Sequence, residues 1–305
     1  MTTDHKEIMA EIIRLKKQRK AIILVHNYQR PEIQDLADFV GDSLELSQKA
    51  AKTEAEVIVF CGVHFMAETA YIVNPGKTVL LPDFESGCPM ADMMTAEELI
   101  EKKKEIPGAI VVCYVNSSAA VKAESDICCT SANAVKVVQS LPPDQEILFI
   151  PDQYLGQWVA QRTERKMHFW PGFCPTHMKI FGEKITEEKK KHPGAIALVH
   201  PECRSDAKEA ADEVLSTGGM IRDVSQSPRK EFLIGTETGI IYRLKKENPG
   251  KSFYPVNPKA VCPNMKKNTL PKVLWSLQER QHVVSVPEAI RTRALSAIER
   301  MLAIG

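Results

Sequence analysis

The sequence lacks most signatures that assign a chain to a broad functional class. Its 305 residues carry 40 Lys and Arg against 39 Asp and Glu, so a net charge of +1 gives no electrostatic reason to expect a nucleic acid or an anionic membrane surface. No apolar run approaches the roughly 20 residues that a membrane helix needs. The opening Met-Thr-Thr-Asp-His-Lys has no apolar segment of the export-signal kind. We therefore expect a cytoplasmic protein with no nucleic-acid or membrane partner.

Common active-site motifs are missing as well. The chain has no Gly-x-Gly-x-x-Gly fingerprint, no P-loop and no Gly-x-Ser-x-Gly elbow. It also lacks the close Cys-x-x-Cys pairs that usually supply structural zinc. Without an export signal its eight cysteines are expected to be reduced, which favours metal binding or catalysis over disulfides. The length and the 44% apolar content allow two or three domains with ample core.

One short motif occurs three times in the chain. Cys88, Cys174 and Cys262 are each followed by proline, and no other cysteine is. The intervals are 86 residues (88 to 174) and 88 residues (174 to 262). Such near-equal spacing predicts three copies of one unit, each giving one thiolate to a shared centre.

Two further sets of residues repeat at the same intervals. One set ends apolar runs and comprises His26, Tyr114 and His200. The other closes Asp-x-x-x-x-Ser/Thr strings and comprises Ser43, Ser131 and Thr217. The intervals are 88 and then 86 residues in both sets. A period of this length is too long for a solenoid and predicts three similar small domains.

The order of secondary structure within each copy predicts the fold. Continuous apolar runs such as Ala21 to His26 are typical of strands buried on both faces of a parallel sheet, and they alternate with amphipathic segments such as Lys6 to Arg19. We predict an α/β fold of three similar three-layer αβα domains with parallel sheets, in a pseudo-threefold arrangement around a central active site. The predicted domains are 1–88, completed by 270–305, then 89–174 and 175–269.

Polar residues follow the first predicted strand of every copy. They are His26-Asn27-Tyr28, Tyr114-Val115-Asn116 and His200-Pro201-Glu202. Ligands of open α/β sheets bind at the carboxyl ends of strands, so pseudo-threefold packing would bring these residues and the Cys-Pro loops to one cavity. Ser43, Ser131 and Thr217 are expected to cap helices, whose N-terminal ends also favour anions. A substrate with several negative charges would suit three such ends.

The residues alone leave the metal open. Three thiolates on a [4Fe–4S] cluster leave one iron without a protein ligand, free to act as a Lewis acid, and proline also follows ligating cysteines in ferredoxin-type runs. The alternative is zinc, in a zinc enzyme or a zinc-stabilised binding module. A cluster for electron transfer would need a fourth thiolate, from Cys128 or Cys203. Duplication alone could also repeat three cysteines that bind nothing.

These residues lie within longer motifs, and with them the sequence resembles the quinolinate synthase (NadA) family. The segments that carry the resemblance are His26-Asn-Tyr-Gln, Asp38-Phe-Val-Gly-Asp-Ser43, Cys88-Pro-Met, Tyr114-Val-Asn-Ser, Thr130-Ser-Ala-Asn-Ala, His200-Pro-Glu-Cys, Ser216-Thr-Gly and Cys262-Pro-Asn-Met-Lys-Lys-Asn-Thr. They run in order over nearly the whole chain, so the resemblance is far more specific than any one pattern.

The resemblance implies both a fold and a reaction. The fold is the three-domain α/β arrangement already predicted, with a central [4Fe–4S] cluster held by Cys88, Cys174 and Cys262. The reaction is a transferase step of de novo NAD and pyridine nucleotide biosynthesis. Iminoaspartate condenses with dihydroxyacetone phosphate, giving quinolinate, phosphate and water. Functional coupling to aspartate oxidase, as the source of iminoaspartate, is a further implied partnership.

Carried over position by position, the resemblance also gives substrate-binding residues. They are His26, Ser43, Tyr114, Asn116, Ser131, His200, Glu202 and Thr217, with Tyr28 beside them. Glu202 and His200 are the candidates for proton transfer, and Tyr28 and Tyr114 are candidates for orienting or protonating intermediates. A cluster-dependent hydro-lyase of the aconitase type, acting on a different di-acid, is the rival enzyme class.

Overall fold

The computed structural model describes residues 3–304 and contains three sheets built to one plan. The first unit comprises α1 (Thr3–Gln18), β1 (Ala21–His26), α2 (Pro31–Leu36), β2 (Phe39–Gly41), α3 (Ser43–Lys52), β3 (Val57–Cys61), α4 (His64–Val73) and β4 (Thr78–Leu80). The second comprises α5 (Ala96–Glu105), β5 (Ile110–Tyr114), α6 (Ala119–Ala123), β6 (Ile127–Cys129), α7 (Ala134–Gln139), β7 (Ile147–Ile150), α8 (Gln153–Thr163) and β8 (His168–Phe169). The third comprises α9 (Gly182–Lys191), β9 (Ile196–Val199), α10 (Ser205–Ala210), β10 (Glu213–Val214), α11 (Thr217–Gln226), β11 (Glu231–Gly235), α12 (Ile240–Glu247) and β12 (Ser252–Pro255). The chain continues as α13 (Leu270–Glu279), β13 (Val283–Val284) and α14 (Glu288–Ile304).

The strand order is the same in all three sheets. It is β2-β1-β3-β4 in the first, β6-β5-β7-β8 in the second and β10-β9-β11-β12 in the third, with every one of these neighbouring strands parallel. The first sheet gains one antiparallel edge strand, because β13 pairs with β4. Crossover helices cover the faces of each sheet, as parallel strands require.

The strands are apolar throughout because both of their faces are buried. Leu24 in β1 faces a cluster that it shares with Val112 of β5 and Leu198 of β9, so one core joins the three units. Its neighbours Ile23 and Val25 point to the opposite face, where α1 and α13 cover the sheet. Successive side chains of a strand alternate between faces, which explains why the run from 21 to 26 is continuous rather than alternating in polarity.

The predicted fold class is confirmed as three parallel sheets flanked by helices. The predicted strand Ala21 to His26 has the same bounds as β1 in the structure. No prediction covers α6, β6 or β10, which are too short to show a period. Within residues 3–304, no helix combines the length and the apolar character needed to cross a membrane.

The predicted helix caps are wrong by one or two residues. Asp42, not Ser43, caps α3 by accepting from the N–H groups of Leu44 and Glu45. Ser216 caps α11 in the same way. Ser131 lies in the turn that precedes α7. Ser43 and Thr217 are therefore first helical residues, so their hydroxyls are not committed to capping.

The C-terminal elements contact two units. α13 packs on α1, and β13 joins the first sheet, as expected for residues that complete the first unit. α14, however, packs against α6 and β6 of the second unit as well as α4 of the first. The helix thus bridges two units rather than belonging to the first alone. The domain boundaries themselves stay a prediction.

A close approach of two helices generates a stability prediction. A Cβ on Gly182, at the start of α9, would lie 2.3 Å from the main-chain oxygen of Asp206 in α10. Main chain cannot move aside cheaply, so we expect Gly182→Ala to lower the free energy of unfolding by roughly 1–3 kcal/mol. Urea unfolding measures this change. Gly76→Ala is the matched control, because a Cβ there has nothing within 4 Å; equal losses in the two variants would contradict the prediction.

Candidate active site

The carboxyl ends of the three sheets meet at one cavity with an empty volume of about 640 Å³. All twelve residues predicted from the sequence line it, and they are His26, Tyr28, Ser43, Cys88, Tyr114, Asn116, Ser131, Cys174, His200, Glu202, Thr217 and Cys262. Each unit contributes one cysteine, one hydroxyl residue and two strand-end residues. The structure thus brings the predicted residues together, while their individual roles stay predictions.

The strand ends present their side chains in pairs. The residue at or directly after the end of each central strand and the residue two positions later face the cavity, and the pairs are His26 with Tyr28, Tyr114 with Asn116, and His200 with Glu202. In two pairs the main chain fixes the imidazole. The N–H of Tyr28 donates to Nδ1 of His26 at 3.2 Å, and the N–H of Glu202 donates to Nδ1 of His200 at 3.3 Å. Nε2 of each ring is therefore the position that carries a proton and can donate.

Polar contacts between units close the wall of the cavity. Nε2 of His200 lies 3.1 Å from Oγ of Ser131, so the third unit bonds to the second. The side-chain amide of Asn27 donates to Oγ1 of Thr217 at 3.0 Å, so the first unit bonds to the third. Burial lowers the pKa of both His26 and His200 to about 3, which makes both imidazoles neutral near pH 7.

The carboxylate of Glu202 is the central charge of the cavity. It is only 4% exposed, and its Oε1 accepts a short hydrogen bond from the hydroxyl of Tyr114. Its Oε2 lies 2.7 Å from Nδ1 of His177. Burial raises the pKa of this carboxyl, but the neighbouring imidazoles of His177 and His200 and the hydrogen bond from Tyr114 together outweigh burial, and the pKa falls to about 2. Glu202 is therefore ionised at neutral pH.

The sequence analysis missed His177, which connects Glu202 to the first unit. Nε2 of His177 lies 2.9 Å from Oγ1 of Thr236, and Thr236 lies 2.5 Å from the hydroxyl of Tyr28. The ring also stacks on His200 with centroids 4.7 Å apart. His177 stands three residues after Cys174, where the other copies have Ala91 and Met265. No repeat signals it, because only one copy carries a polar residue there.

The three Cys-Pro loops share one local structure. Each is followed by a single 3₁₀ turn that starts three residues after the cysteine, and the turns are Ala91–Met93, His177–Lys179 and Met265–Lys267. The main-chain N–H of the first residue of each turn acts to lower the pKa of the cysteine thiol. Burial raises the pKa of Cys88 to about 12 and also raises the pKa of Cys174 and Cys262. Cys262 further raises the pKa of Cys88, and both of these thiols raise the pKa of Cys174.

A buried ion pair supports the third cysteine loop. Glu237, another cavity residue missed from the sequence, accepts from the N–H of Cys262 at 3.1 Å and lies 3.0 Å from Nζ of Lys266. Lys266 also donates to the main-chain oxygen of Tyr28. The pair therefore ties the third cysteine loop to the strand end of the first unit.

Two sets of donors in the cavity fit a metal. Cys88, Cys174 and Cys262 line the cavity and give one sulfur per unit, and thiolates are the ligands that hold iron–sulfur clusters. Cys174, His177 and Glu202 place their ligand atoms within 4.8 Å of one another and could hold a single ion. Among the described residues no fourth cysteine lines the cavity, and Cys128 and Cys203 are buried elsewhere.

Comparisons with known proteins agree over nearly the full length. A family model described as quinolinate synthetase A protein matches residues 10–303. A quinolinate synthase of Dehalococcoides mccartyi (strain CBDB1) is 60% identical over 98% of this chain and 99% of its own length. A quinolinate synthase of Desulforudis audaxviator is 57% identical over 98% of both chains. A protein of Methanosarcina acetivorans named quinolinate synthase 1 is 55% identical over 98% of both chains.

The contribution of the Tyr114 to Glu202 hydrogen bond to stability can be compared with that of a tyrosine to carboxylate hydrogen bond at the surface. Tyr114→Phe removes a donor from a buried carboxylate, so we expect it to lower the free energy of unfolding by roughly 1.5–3 kcal/mol. Tyr242→Phe removes the donor to Asp35, a 2.6 Å bond on a partly exposed surface, and should cost less than about 1 kcal/mol. Urea unfolding compares the two variants, and equal losses would show that burial does not strengthen the Tyr114 bond.

Proposed function

Because the chain belongs to the quinolinate synthase family, which is a family of enzymes, we propose that it condenses iminoaspartate with dihydroxyacetone phosphate, giving quinolinate, phosphate and water. The observation that carries this proposal is the single cavity in which three units converge. It holds the ionised carboxylate of Glu202, the neutral imidazoles of His26 and His200 and the hydroxyls of Tyr28 and Tyr114 beside three thiols. A condensation followed by loss of water needs such proton donors and acceptors at one place.

A line of polar groups crosses the cavity and supports the proposed proton transfers. It runs from Tyr114 through Glu202, His177 and Thr236 to Tyr28, with the contacts described above. Glu202, being ionised, is the base that we assign to proton removal during imine formation and water loss. Burial, reinforced by the charge of Glu202, raises the pKa of both tyrosines, so each hydroxyl keeps its proton and can donate it. His200 is assigned the second proton-transfer role.

The anionic groups of the substrates need donors rather than further carboxylates. Thr217 begins α11, whose N-terminal end favours an anion, and its hydroxyl lines the cavity. α3 is a poorer anion site than the sequence indicated, because Asp42 already occupies the N–H groups of Leu44 and Glu45. We therefore assign the phosphate or a carboxylate to the Thr217 end. The remaining donors assigned to substrate are His26, Ser43, Asn116 and Ser131.

We further propose that Cys88, Cys174 and Cys262 hold a [4Fe–4S] cluster. When bound, the cluster would supply a Lewis-acid iron without a protein ligand, suited to loss of water. The residues of the chain would orient the substrate toward that side of the cavity and exclude water from it. The competing donor set of Cys174, His177 and Glu202 favours a single ion such as zinc, and it is the one specific alternative.

The place of the reaction follows from its substrates. Iminoaspartate is an imine that water hydrolyses, so an enzyme that oxidises an amino di-acid must supply it, and functional coupling to aspartate oxidase is part of the proposal. Formation of quinolinate is a step of NAD biosynthesis, so the proposed activity belongs to that pathway. The cytoplasmic location and the absence of a nucleic-acid partner stay predictions.

A substrate-omission assay tests the proposed function. Protein prepared without oxygen should form quinolinate only when both iminoaspartate and dihydroxyacetone phosphate are present. Glu202→Gln should lower kcat about a hundredfold or more, which is the usual effect of removing a general base. Glu209→Gln, at an exposed position of α10, is the matched control and should act like the parent. Dehydration of a hydroxy di-acid without quinolinate formation would favour the hydro-lyase instead.

A further inference from the structure

Three buried or half-buried side chains occupy equivalent positions in the three units. Gln34 in α2, Lys122 in α6 and Lys208 in α10 each stand eight residues after the strand-end residue of their own unit. Gln34 and Lys122 are 6% and 0% exposed, and Lys208 is half-buried. A lysine is rarely buried without a specific partner, so this recurrence calls for a common role.

Each of the three side chains donates to the strand-end loop of its own unit. Nε2 of Gln34 lies 2.9 Å from the main-chain oxygen of Gln29, and Nζ of Lys122 lies 2.5 Å from that of Ser117. Nζ of Lys208 lies 3.2 Å from the main-chain oxygen of Pro201. These loops carry the paired residues that face the cavity. The three donors therefore hold the main chain that positions those pairs.

Each side chain also contacts the preceding unit, at a position that is again equivalent. Nε2 of Gln34 donates to the main-chain oxygen of Gly239 at 3.0 Å, and Nζ of Lys208 donates to that of Tyr154 at 2.6 Å. Nζ of Lys122 lies 5.4 Å from the ring centroid of Phe65. The contacted residues are Phe65, Tyr154 and Gly239, and each stands four residues after the third strand of its unit. The second unit thus contacts the first, the third contacts the second, and the first contacts the third.

We propose that Gln34, Lys122 and Lys208 are positioning residues that fix each strand-end loop against the preceding unit and so set the geometry of the cavity. We call these three side chains struts. They form a closed ring, with one strut at each boundary between two units. A side chain with several N–H groups suits this task, because it can satisfy carbonyl oxygens from two units at once. The link to catalysis rests on the proposed function, whereas the struts themselves do not.

Lys208 offers the sharpest test, because the first unit uses glutamine at the same position. Lys208→Met keeps a long side chain but removes the donor, and Lys208→Gln installs the donor of the first unit with a shorter reach. Lys190→Met is the matched control, since Lys190 is exposed on the neighbouring α9. Amide hydrogen exchange at Glu202 and Cys203, whose N–H groups bond to His200, reports the order of the loop without any substrate. Quinolinate formation by the same variants reports catalysis.

We expect Lys208→Met to speed exchange at these two amides about tenfold and to lower kcat by a similar factor, as loss of one or two hydrogen bonds implies. Lys208→Gln should recover part of both effects, and Lys190→Met should show neither. Amides of the strand-end loops in the first two units should exchange at the parental rate. Equal effects of Met and Gln, no effect of Met, or equally faster exchange in all three loops would overturn the proposal.

The first unit provides a second test should Lys208→Met fail to fold. Gln34→Met should speed exchange at Tyr28 and Gln29, whose N–H groups bond to His26, and Gln34→Lys should restore slow exchange. Identical exchange in the two variants would overturn the proposal. A parent protein that forms no quinolinate would refute the proposed function, while the exchange measurements would still decide whether the struts exist.

Discussion

The arrangement of the cavity depends on satisfying one buried negative charge. An ionised carboxylate such as Glu202, withdrawn from water, costs several kcal/mol unless donors surround it. Glu202 belongs to the third unit, yet the donors at Oε1 come from Tyr114 and Asn116 of the second. His177, from the loop that follows Cys174, lies against Oε2. If the second and third units separated here, Oε1 of Glu202 would lose its donors. The need to satisfy this carboxylate therefore stabilises the contact between the two units at the cavity.

Near-identical units produce an asymmetric site because equivalent positions carry different residues. The third residue from each strand end is a tyrosine, an asparagine and a glutamate in turn, so a single carboxylate faces the cavity from this position. The residue that begins each 3₁₀ turn is alanine, histidine or methionine, so one imidazole reaches that carboxylate. Among the repeated residues that line the cavity, only the cysteines are identical in all three copies. Repetition thus supplies the frame and the shared thiols, and divergence supplies the acid–base groups.

Features that repeat in all three units could be predicted from the sequence, whereas features found in one unit could not. The repeat interval identified the strand ends and the cysteines, and continuous apolar runs identified buried strands such as β1 and β3. The three sheets and the shared cavity could therefore be predicted. His177 and Glu237 escaped because each occurs in one copy, and only folding brings them to Glu202 and Cys262. The caps at Asp42 and Ser216 escaped because a cap and a first helical residue differ by one position. The contact of α14 with the second unit leaves no local pattern.

Iron and acid-labile sulfide content, measured on protein prepared without oxygen, tests most directly whether three units share one metal centre. We expect about four of each per chain in the parent, lost in Cys174→Ala. His177→Ala and Cys203→Ala should keep them, because the first leaves all three thiols and the second removes a cysteine buried away from the cavity. One zinc per chain, lost in both Cys174→Ala and His177→Ala, would instead assign the centre to the Cys174, His177 and Glu202 set and contradict the account.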